Sequence, residues 1–477
     1  MTAAGFIALL PLLIIAAAAI AAMLGIAIRR SHGATALLSW LGLGAAFATL
    51  WWAAGTAPYS AGPLFTIDRY ALFYTGLILA ASAVFVLLAY DYFGKCEGQH
   101  EEIYILMLVA TLGSAVLVTS SHLLSLFLGL ELLSVPLYAM IAYLRLRPLP
   151  LEAGLKYLVL AAISAAFLLF GIALIYAALG TMELPRLAAA LSSGEASDSR
   201  LVLPGLILVL TGLGFKLAVV PFHLWAPDVF EGAPAPVTAY LATVSKGAIF
   251  AALLRFFYDS RALAIPSVFV VFSVIAFASM IAGNLLALLQ SNIKRMLAYS
   301  SIAHLGYVLV AFTAGGQLGL TAVTFYFVAY FVTTLGAFGV VSVLSKSDGE
   351  PMMIEDYRGL FWRRPFVASV FTSMLLSLAG IPLTAGFIGK FYVVAAGASS
   401  AIWALVIVLV ATSAIGLYYY LRVIVAMVGQ TAAPIPEWRM RRIPGFVLAG
   451  LTLLLVWFGV FPGGVLRLIR DAVAGLI

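Results

Sequence analysis

The stretch Val202-Leu203-Pro204-Gly205-Leu206-Ile207-Leu208-Val209-Leu210-Thr211-Gly212-Leu213-Gly214-Phe215-Lys216-Leu217-Ala218-Val219-Val220-Pro221-Phe222-His223-Leu224-Trp225-Ala226-Pro227 decides the fold. It is an apolar run of membrane-spanning length, since a spanning helix needs about 20 mostly apolar residues. One cation, Lys216, sits inside it, and the run continues through Pro221 and His223 to Pro227. Proline inside a spanning helix frees a backbone carbonyl that needs another partner. Helices broken in this way often line an ion path. A simple kink is the plainer reading of any single proline.

Working outward, runs of spanning length recur along the chain at about 6–28, 34–54, 70–91, 103–120, 122–143, 157–179, 203–222, 235–256, 263–288, 297–315, 319–345, 366–396, 400–428 and 444–468. Two further runs carry internal breakers: Ser134-Val135-Pro136 in the fifth and Gly380-Ile381-Pro382 in the twelfth. The composition agrees. Of 477 residues, 64% are hydrophobic and 9% charged, and the mean hydropathy is +1.13. A soluble domain carries about 25% charged residues. The expected fold is therefore an all-α polytopic membrane protein of about 14 helices, without a sizeable water-soluble domain. Cys96 is the single cysteine, which excludes Fe–S, Cys-type zinc and disulfide frameworks. No Gly-rich βαβ fingerprint offers a flavin or nicotinamide site. No cofactor is expected in this chain, and no basic stretch suggests nucleic acid.

The first run has no Lys or Arg before Arg29 and is too long for a signal peptide, so it reads as a spanning helix. Fourteen Lys and Arg fall in loops after odd-numbered runs, among them Arg29, Lys95, Arg147, Lys294, Arg358, Arg439 and Arg442. Five fall in loops after even-numbered runs: Arg69, Arg186, Arg200, Arg255 and Arg261. The positive-inside rule then puts odd-numbered loops on the cytoplasmic side and both termini on the periplasmic side. The loop 180–202, with Ser192, Ser193, Ser197 and Ser199, reads as an exposed linker without chemistry.

An ionised side chain at bilayer depth costs about 2.5–3.5 kcal/mol on insertion scales. The charges that meet this cost are Glu131, Lys216, Lys246, Lys390 and Arg422, with Lys156 near the start of the sixth run and His304 deep in the tenth. Glu131 needs a cation beside it to stay ionised, and Lys216 and Lys156 are its candidate partners. A buried ion pair that only fixes packing is the competing reading, but such pairs stabilise weakly. Several buried ionisable groups beside helix breaks favour a proton path. A buried lysine, unlike a surface one, can exchange its proton near neutral pH, and histidine titrates in that range. A neutral, hydrogen-bonded His304 is an equal alternative. Arg422 is a poor carrier and reads as snorkelling to the interface. Spacing hints at a repeat: Glu131 to Lys216 is 85 residues and Lys216 to Lys246 is 30, against 86 for His304 to Lys390 and 32 for Lys390 to Arg422. This maps helices five, seven and eight onto ten, twelve and thirteen. A shift of five helices inverts the copy. Pro221 and Pro382 are 161 apart but Lys216 and Lys390 are 174 apart, so the repeat holds by helix rather than by residue.

At these residues the chain resembles a known family. Phe215-Lys216-Leu217-Ala218-Val219-Val220-Pro221-Phe222-His223-Leu224-Trp225-Ala226-Pro227-Asp228, running on to Leu241 and Lys246, is similar to the signature of the antiporter-like subunits of respiratory complex I. A second signature runs from Asn292 to Tyr307. The resemblance implies two inverted five-helix bundles, helices 4–8 and 9–13, with broken helices 7 and 12. It divides the chain into 1–100, a first bundle at 101–257, a second at 258–430 and a last helix at 431–477. It implies that protons are driven across a bacterial inner membrane by quinone reduction elsewhere. The path would comprise a Glu131–Lys216 pair, central Lys246 and exit-side Lys390, with helix breaks at Pro221 and Pro382. Lys156, His304 and the hydroxyls of Ser134, Ser300 and Ser301 would assist. Lys390, where M-like chains carry Glu, points to the N-like branch, as does a chain ending soon after helix fourteen without a lateral helix. The implied partners are the lipid bilayer and other membrane subunits, M-like and K-like neighbours among them. A stand-alone cation/proton antiporter subunit, a membrane hydrogenase module and a plain scaffold are the alternatives.

Overall fold

The computed structural model describes residues 3–192, 200–260, 262–347, 349–430 and 441–476. Ser193, Ser197, Ser199, Arg261 and Arg439, named above, lie outside them. Three helices come first: α1 (Ala3–Ile28), α2 (His32–Ala54) and, after a hairpin of β1 (Tyr59–Ala61) and β2 (Phe65–Ile67), α3 (Arg69–Phe93). Then follow α4 (Glu102–Thr119), α5 (Leu123–Ile141), α6 (Pro148–Leu179), the short α7 (Leu184–Ser192), α8 (Val202–Leu217), α9 (Trp225–Gly232) and α10 (Ala235–Tyr240). A π-helical turn, Leu241–Ser245, joins α10 to α11 (Lys246–Asp259). The rest comprises α12 (Pro266–Leu288), α13 (Ile293–Ala314), α14 (Gly316–Leu344), α15 (Leu360–Arg363), α16 (Pro365–Ala379), α17 (Ala385–Ser399), α18 (Trp403–Val428), α19 (Arg442–Val460) and α20 (Gly463–Val473).

Among the described residues, twelve helical stretches are long and apolar enough to cross a membrane, α10 and α11 counting as one. The seventh and twelfth apolar runs are instead pairs of shorter helices, α8 with α9 and α16 with α17. Both breaks have the same build. α8 ends where Ala218 turns left-handed (φ 59°), with Ala218 and Val219 N–H donating back to Phe215 and Gly214 carbonyls. α16 ends where Gly380 does so (φ 87°), with Gly380 and Ile381 N–H donating to Ser377 and Leu376. This left-handed closure satisfies the last carbonyls of a helix. Pro221 and Pro382 then lie in the breaks, where no helical N–H is needed.

Four sequence expectations need correction. Pro136 does not break its helix: α5 runs through it. α6 begins nine residues earlier than its apolar run, because Pro148 occupies its first turn, where a missing N–H costs nothing. The loop 180–202 contains α7, whose Leu184 and Leu187 are buried. The fourteenth run stops at Val460, and residues beyond Pro462 form the separate α20.

The repeat is legible in hydrogen bonds. Leu123 N–H donates to Met182 and Leu184 N–H to Ser121; Ile293 N–H donates to Met352 and Ile354 N–H to Ser291. Each residue of the second set lies 170 beyond its counterpart. The close approach of Gly113 to the Leu133 backbone recurs, at the same offset, as Gly283 on Ala303. Helix pairing repeats too: α4 packs on α5 and α6 on α8 and α9, as α12 packs on α13 and α14 on α16 and α17. This offset pairs Glu131 with Ser301 and Ser134 with His304, so the spacing that matched Glu131 to His304 was displaced by about one turn.

Candidate functional site

Three buried lysines carry the site. Lys216 stands in the last turn of α8, beside the first break, and is 2% exposed. Lys246 opens α11, directly after the π-turn, and is fully buried. Lys390 lies in the second turn of α17, beyond the second break, and is 9% exposed. Each ammonium meets a hydroxyl. Lys216 Nζ donates to Ser134 Oγ at 2.7 Å and approaches the Tyr138 hydroxyl at 3.5 Å. Lys246 Nζ donates to Ser301 Oγ at 2.6 Å. Lys390 Nζ donates to Ser413 Oγ at 2.7 Å and to the Ala379 carbonyl, at the C-terminal end of α16, at 2.8 Å. There the helix end presents partial negative charge to a cation. Each ammonium also lies over an aromatic ring: Tyr138 and Tyr157 for Lys216, Phe230 for Lys246 and Tyr307 for Lys390, at 5.2–5.7 Å. Such stacking is favourable once the cation is desolvated.

Among the described residues no carboxylate lies within 4 Å of any of these three ammonium groups. Glu131 is half-buried on the face of α5 that carries Ser134, and its Oε1 has no hydrogen-bond partner. The direct Glu131–Lys216 pair expected from sequence is therefore not formed here; Ser134 takes its place. Lys156 is corrected outright as a partner for Glu131. It is 43% exposed and pairs with Glu152 at 2.6 Å and Asp228 at 2.9 Å. The early start of α6 puts it on the outer face, in reach of α9. Asp228 and Glu231 both meet Arg295, at 2.7 and 2.8 Å.

His304 sits between the second and third lysines. Its Nδ1 meets the Tyr326 hydroxyl at 2.7 Å and its Nε2 the Tyr420 hydroxyl at 3.2 Å. Tyr420 also hydrogen-bonds Ser300. On one side the ring lies 5.6 Å from Tyr330, whose hydroxyl donates to Ser301, the partner of Lys246. On the other it lies 5.5 Å from Tyr307, the ring under Lys390. Two cavities of about 10 Å³ flank Tyr330, one reaching His304, Thr333 and Ser377, the other Ser300 and Thr334. Each offers on the order of the room and the polar partners that one water needs. Lys216 with Ser134 forms a separate group on α5, α6 and α8. Arg422 reaches the end of α12 that leads into an odd-numbered loop, where it donates to the Leu288 and Gln290 carbonyls.

Sequence reasoning passed over two buried ion pairs. Lys294 pairs with Glu350 at 2.6 Å, both nearly fully buried. Arg255, counted as a loop residue, is 2% exposed inside α11 and pairs with Asp68 at 2.8 Å. Arg255 lies within the eighth apolar run, and that position was the available signal. Tyr326, Tyr420 and Ser413 carried no signal, being ordinary core residue types.

Charged loops sort by end. Arg30 with Glu102, Arg147 with the Ser347 carbonyl and Lys294 with Glu350 join odd-numbered loops, and Lys95 pairs with Asp91 at the α3 end of one of them. Ser121 with Pro63, Leu123 with Met182 and Ser400 with Ala314 join even-numbered ones.

Residues 120–416 match the family model described as NADH:quinone oxidoreductase/Mrp antiporter, TM. The chain belongs to this antiporter-like membrane family. Within it, the chain is 49% identical to the NADH-quinone oxidoreductase subunit N of Ectopseudomonas mendocina, over 99% of this chain and 97% of that protein. It is 47% identical to subunit N of Methylococcus capsulatus, over 97% and 94%. Among solved structures it resembles a chain of respiratory complex I from Thermus thermophilus with bound aureothin (TM-score 0.83, 34% identity, 97% of this chain and 99% of that one). It shares its fold with a chain of the Mrp complex from Dietzia sp. (TM-score 0.86, 22% identity, 100% and 98%). The two solved chains show that the antiporter-like fold extends over nearly the whole of this sequence.

Proposed function

We propose that this chain is the N-type, proton-translocating antiporter-like subunit of a bacterial NADH-quinone oxidoreductase, driven by quinone reduction in other subunits that hold the redox groups. The observation that carries the reading is the set of three buried lysines, each hydrogen-bonded to a neutral hydroxyl. A hydroxyl accepts from an ammonium and can donate to an amine, so the contact survives both loading and unloading of a proton. Protons are taken up from the cytoplasmic end through the first bundle, 101–257, and held at Lys216 and Lys246. They pass by way of His304 to Lys390 in the second bundle, 258–430, and leave at the periplasmic end. Ser134, Ser300 and Ser301 support the water chain, and Lys156 lies at the uptake surface. Glu131 near Lys216 stabilises the ammonium; with Ser134 in its place that support is withdrawn and the proton moves on. This is switching by a neighbouring charge.

Each broken pair makes one crossing in this reading, giving fourteen, with both termini periplasmic in the inner membrane. The neighbours are M-like and K-like membrane subunits. The test has two parts. On a native gel in mild detergent, the chain is expected to co-migrate with flavin and Fe–S subunits and to stain for NADH oxidation. In inverted vesicles, Glu131→Ala, Lys216→Ala or Lys390→Ala should cut proton pumping several-fold with the complex still assembled. Sodium-dependent proton flux without any redox substrate would instead identify a cation/proton antiporter subunit. Intact pumping in all the variants would remove the path.

A further inference from the structure

We infer that α3, which lies outside both inverted bundles, is a strut that sets the position of Lys246, and that Arg255 and Asp68 are its positioning residues. The inference rests on Lys246 carrying protons. The helix formed by α10, the π-turn and α11 is fully buried, and α3 reaches it at three levels. At one end the Tyr92 hydroxyl and the Ala235 N–H, the first residue of α10, donate to the same Glu350 oxygen, at 2.6 and 2.8 Å. At mid-depth Ser82 of α3 meets Thr111 at 2.9 Å and Thr111 meets the Tyr240 hydroxyl at 3.0 Å. At the other end the Tyr70 hydroxyl donates to the Ala251 carbonyl at 2.8 Å, and Arg255 donates to Asp68 Oδ1 at 2.8 Å while its guanidinium lies 5.1 Å from the Tyr70 ring. Asp68 is also the cap of α3, accepting from Ala71 N–H at 2.7 Å.

Helix geometry separates positioning from proton transfer. Arg255 is nine residues beyond Lys246; at about 100° per residue, it points half a turn away. Lys246 faces Ser301 of α13 and Phe230 of α9, whereas Arg255 faces α3. Arg255 and Asp68 therefore grip the back of the helix whose front carries Lys246. Between the mid-depth tie at Tyr240 and this grip stands the π-turn Leu241–Ser245, which admits one residue more than an α-turn. Turns of this kind recur at functional sites because relaxing one to α re-aims every side chain beyond it. Ties on both sides of the π-turn hold the register in which Lys246 meets Ser301.

The experiment uses the whole complex in inverted membrane vesicles, with protons pumped per NADH oxidised read across pH and the assembled complex quantified on a native gel. Arg255→Ala should lower the pumping ratio several-fold and displace its pH profile, with assembly retained. Asp259 also lies 3.8 Å from Arg255, so in an Asp259→Asn background Asp68→Asn combined with Arg255→Gln removes the charges of the cluster yet keeps the cap and a hydrogen-bonded tie, and should restore ratio and profile. Lys246→Ala is run alongside. A normal ratio and profile in Arg255→Ala beside a defective Lys246→Ala overturns the strut. A double variant as defective as Arg255→Ala also overturns it, because charge rather than position would then matter. If Arg255→Ala fails to assemble, the double variant alone decides. Normal pumping in Lys246→Ala would instead remove the function on which the strut rests.

Discussion

Lys390 shows how one side chain is held for its task. Its ammonium bonds the Ala379 carbonyl and Ser413, and its stem lies against Gly380. A Cβ at Gly380 would fall 2.7 Å from Lys390 Cδ, and the backbone there is left-handed at φ 87°. Gly380→Ala therefore strains the break by about 1–2 kcal/mol and pushes Lys390 off its two acceptors. Pumping per NADH is expected to fall several-fold, while Gly349→Ala, at an open position, leaves it unchanged. Equal pumping in both variants would show that Lys390 tolerates displacement. The three lysines were legible in sequence because charge at membrane depth needs a reason. What stayed hidden was the direction each side chain takes. Lys156 and Lys216 look alike as single cations at or inside apolar runs, yet one faces outward to Asp228 and the other inward to Ser134.

At the level of elements, proline was the most informative residue and also the most misleading. Pro221 and Pro382 mark true breaks, Pro136 rides inside α5, and Pro148 starts α6. The difference lies in what receives the freed carbonyls and in whether an N–H was needed at all, and neither is written locally. The loop after α14 was similarly opaque, because Glu350 reads as a solvated acid until folding buries it against Lys294, Tyr92 and Ala235. Removing one partner of such a pair leaves a buried, uncompensated charge, at a cost of about 3–5 kcal/mol. Glu350→Ala is therefore expected to lower the temperature at which the chain dissociates from its complex on a native gel. Glu350→Gln with Lys294→Met, which leaves no charge behind, should recover most of the loss. A double variant no better than Glu350→Ala would mean that the ion pair itself, with the Lys294 bond to the Ala233 carbonyl, holds this corner, because Gln keeps the oxygen that Tyr92 and Ala235 bond.

The whole molecule has two chemically distinct ends, and the repeat explains how one chain builds both. Five helices per copy is an odd number, so the tie His122–Glu183 and its counterpart Asn292–Met353, 170 residues on, stand at opposite ends. The first lies among the even-numbered loops and the second among the odd-numbered ones, where Lys294, Arg295 and Arg147 gather. An excess of Lys and Arg marks the cytoplasmic face, so the reading of proton uptake at the odd end stands or falls with sidedness. Cys96 makes this testable, being the single native cysteine. In a Cys96→Ser background, Ser60→Cys places a thiol at an exposed even-end position and Arg29→Cys at an exposed odd-end one. A membrane-impermeant maleimide added to spheroplasts should label the thiol at 60 and spare that at 29; inverted vesicles should give the opposite pattern. Labelling of position 29 from outside would turn the molecule over, and with it the direction in which Lys216, Lys246 and Lys390 hand on a proton.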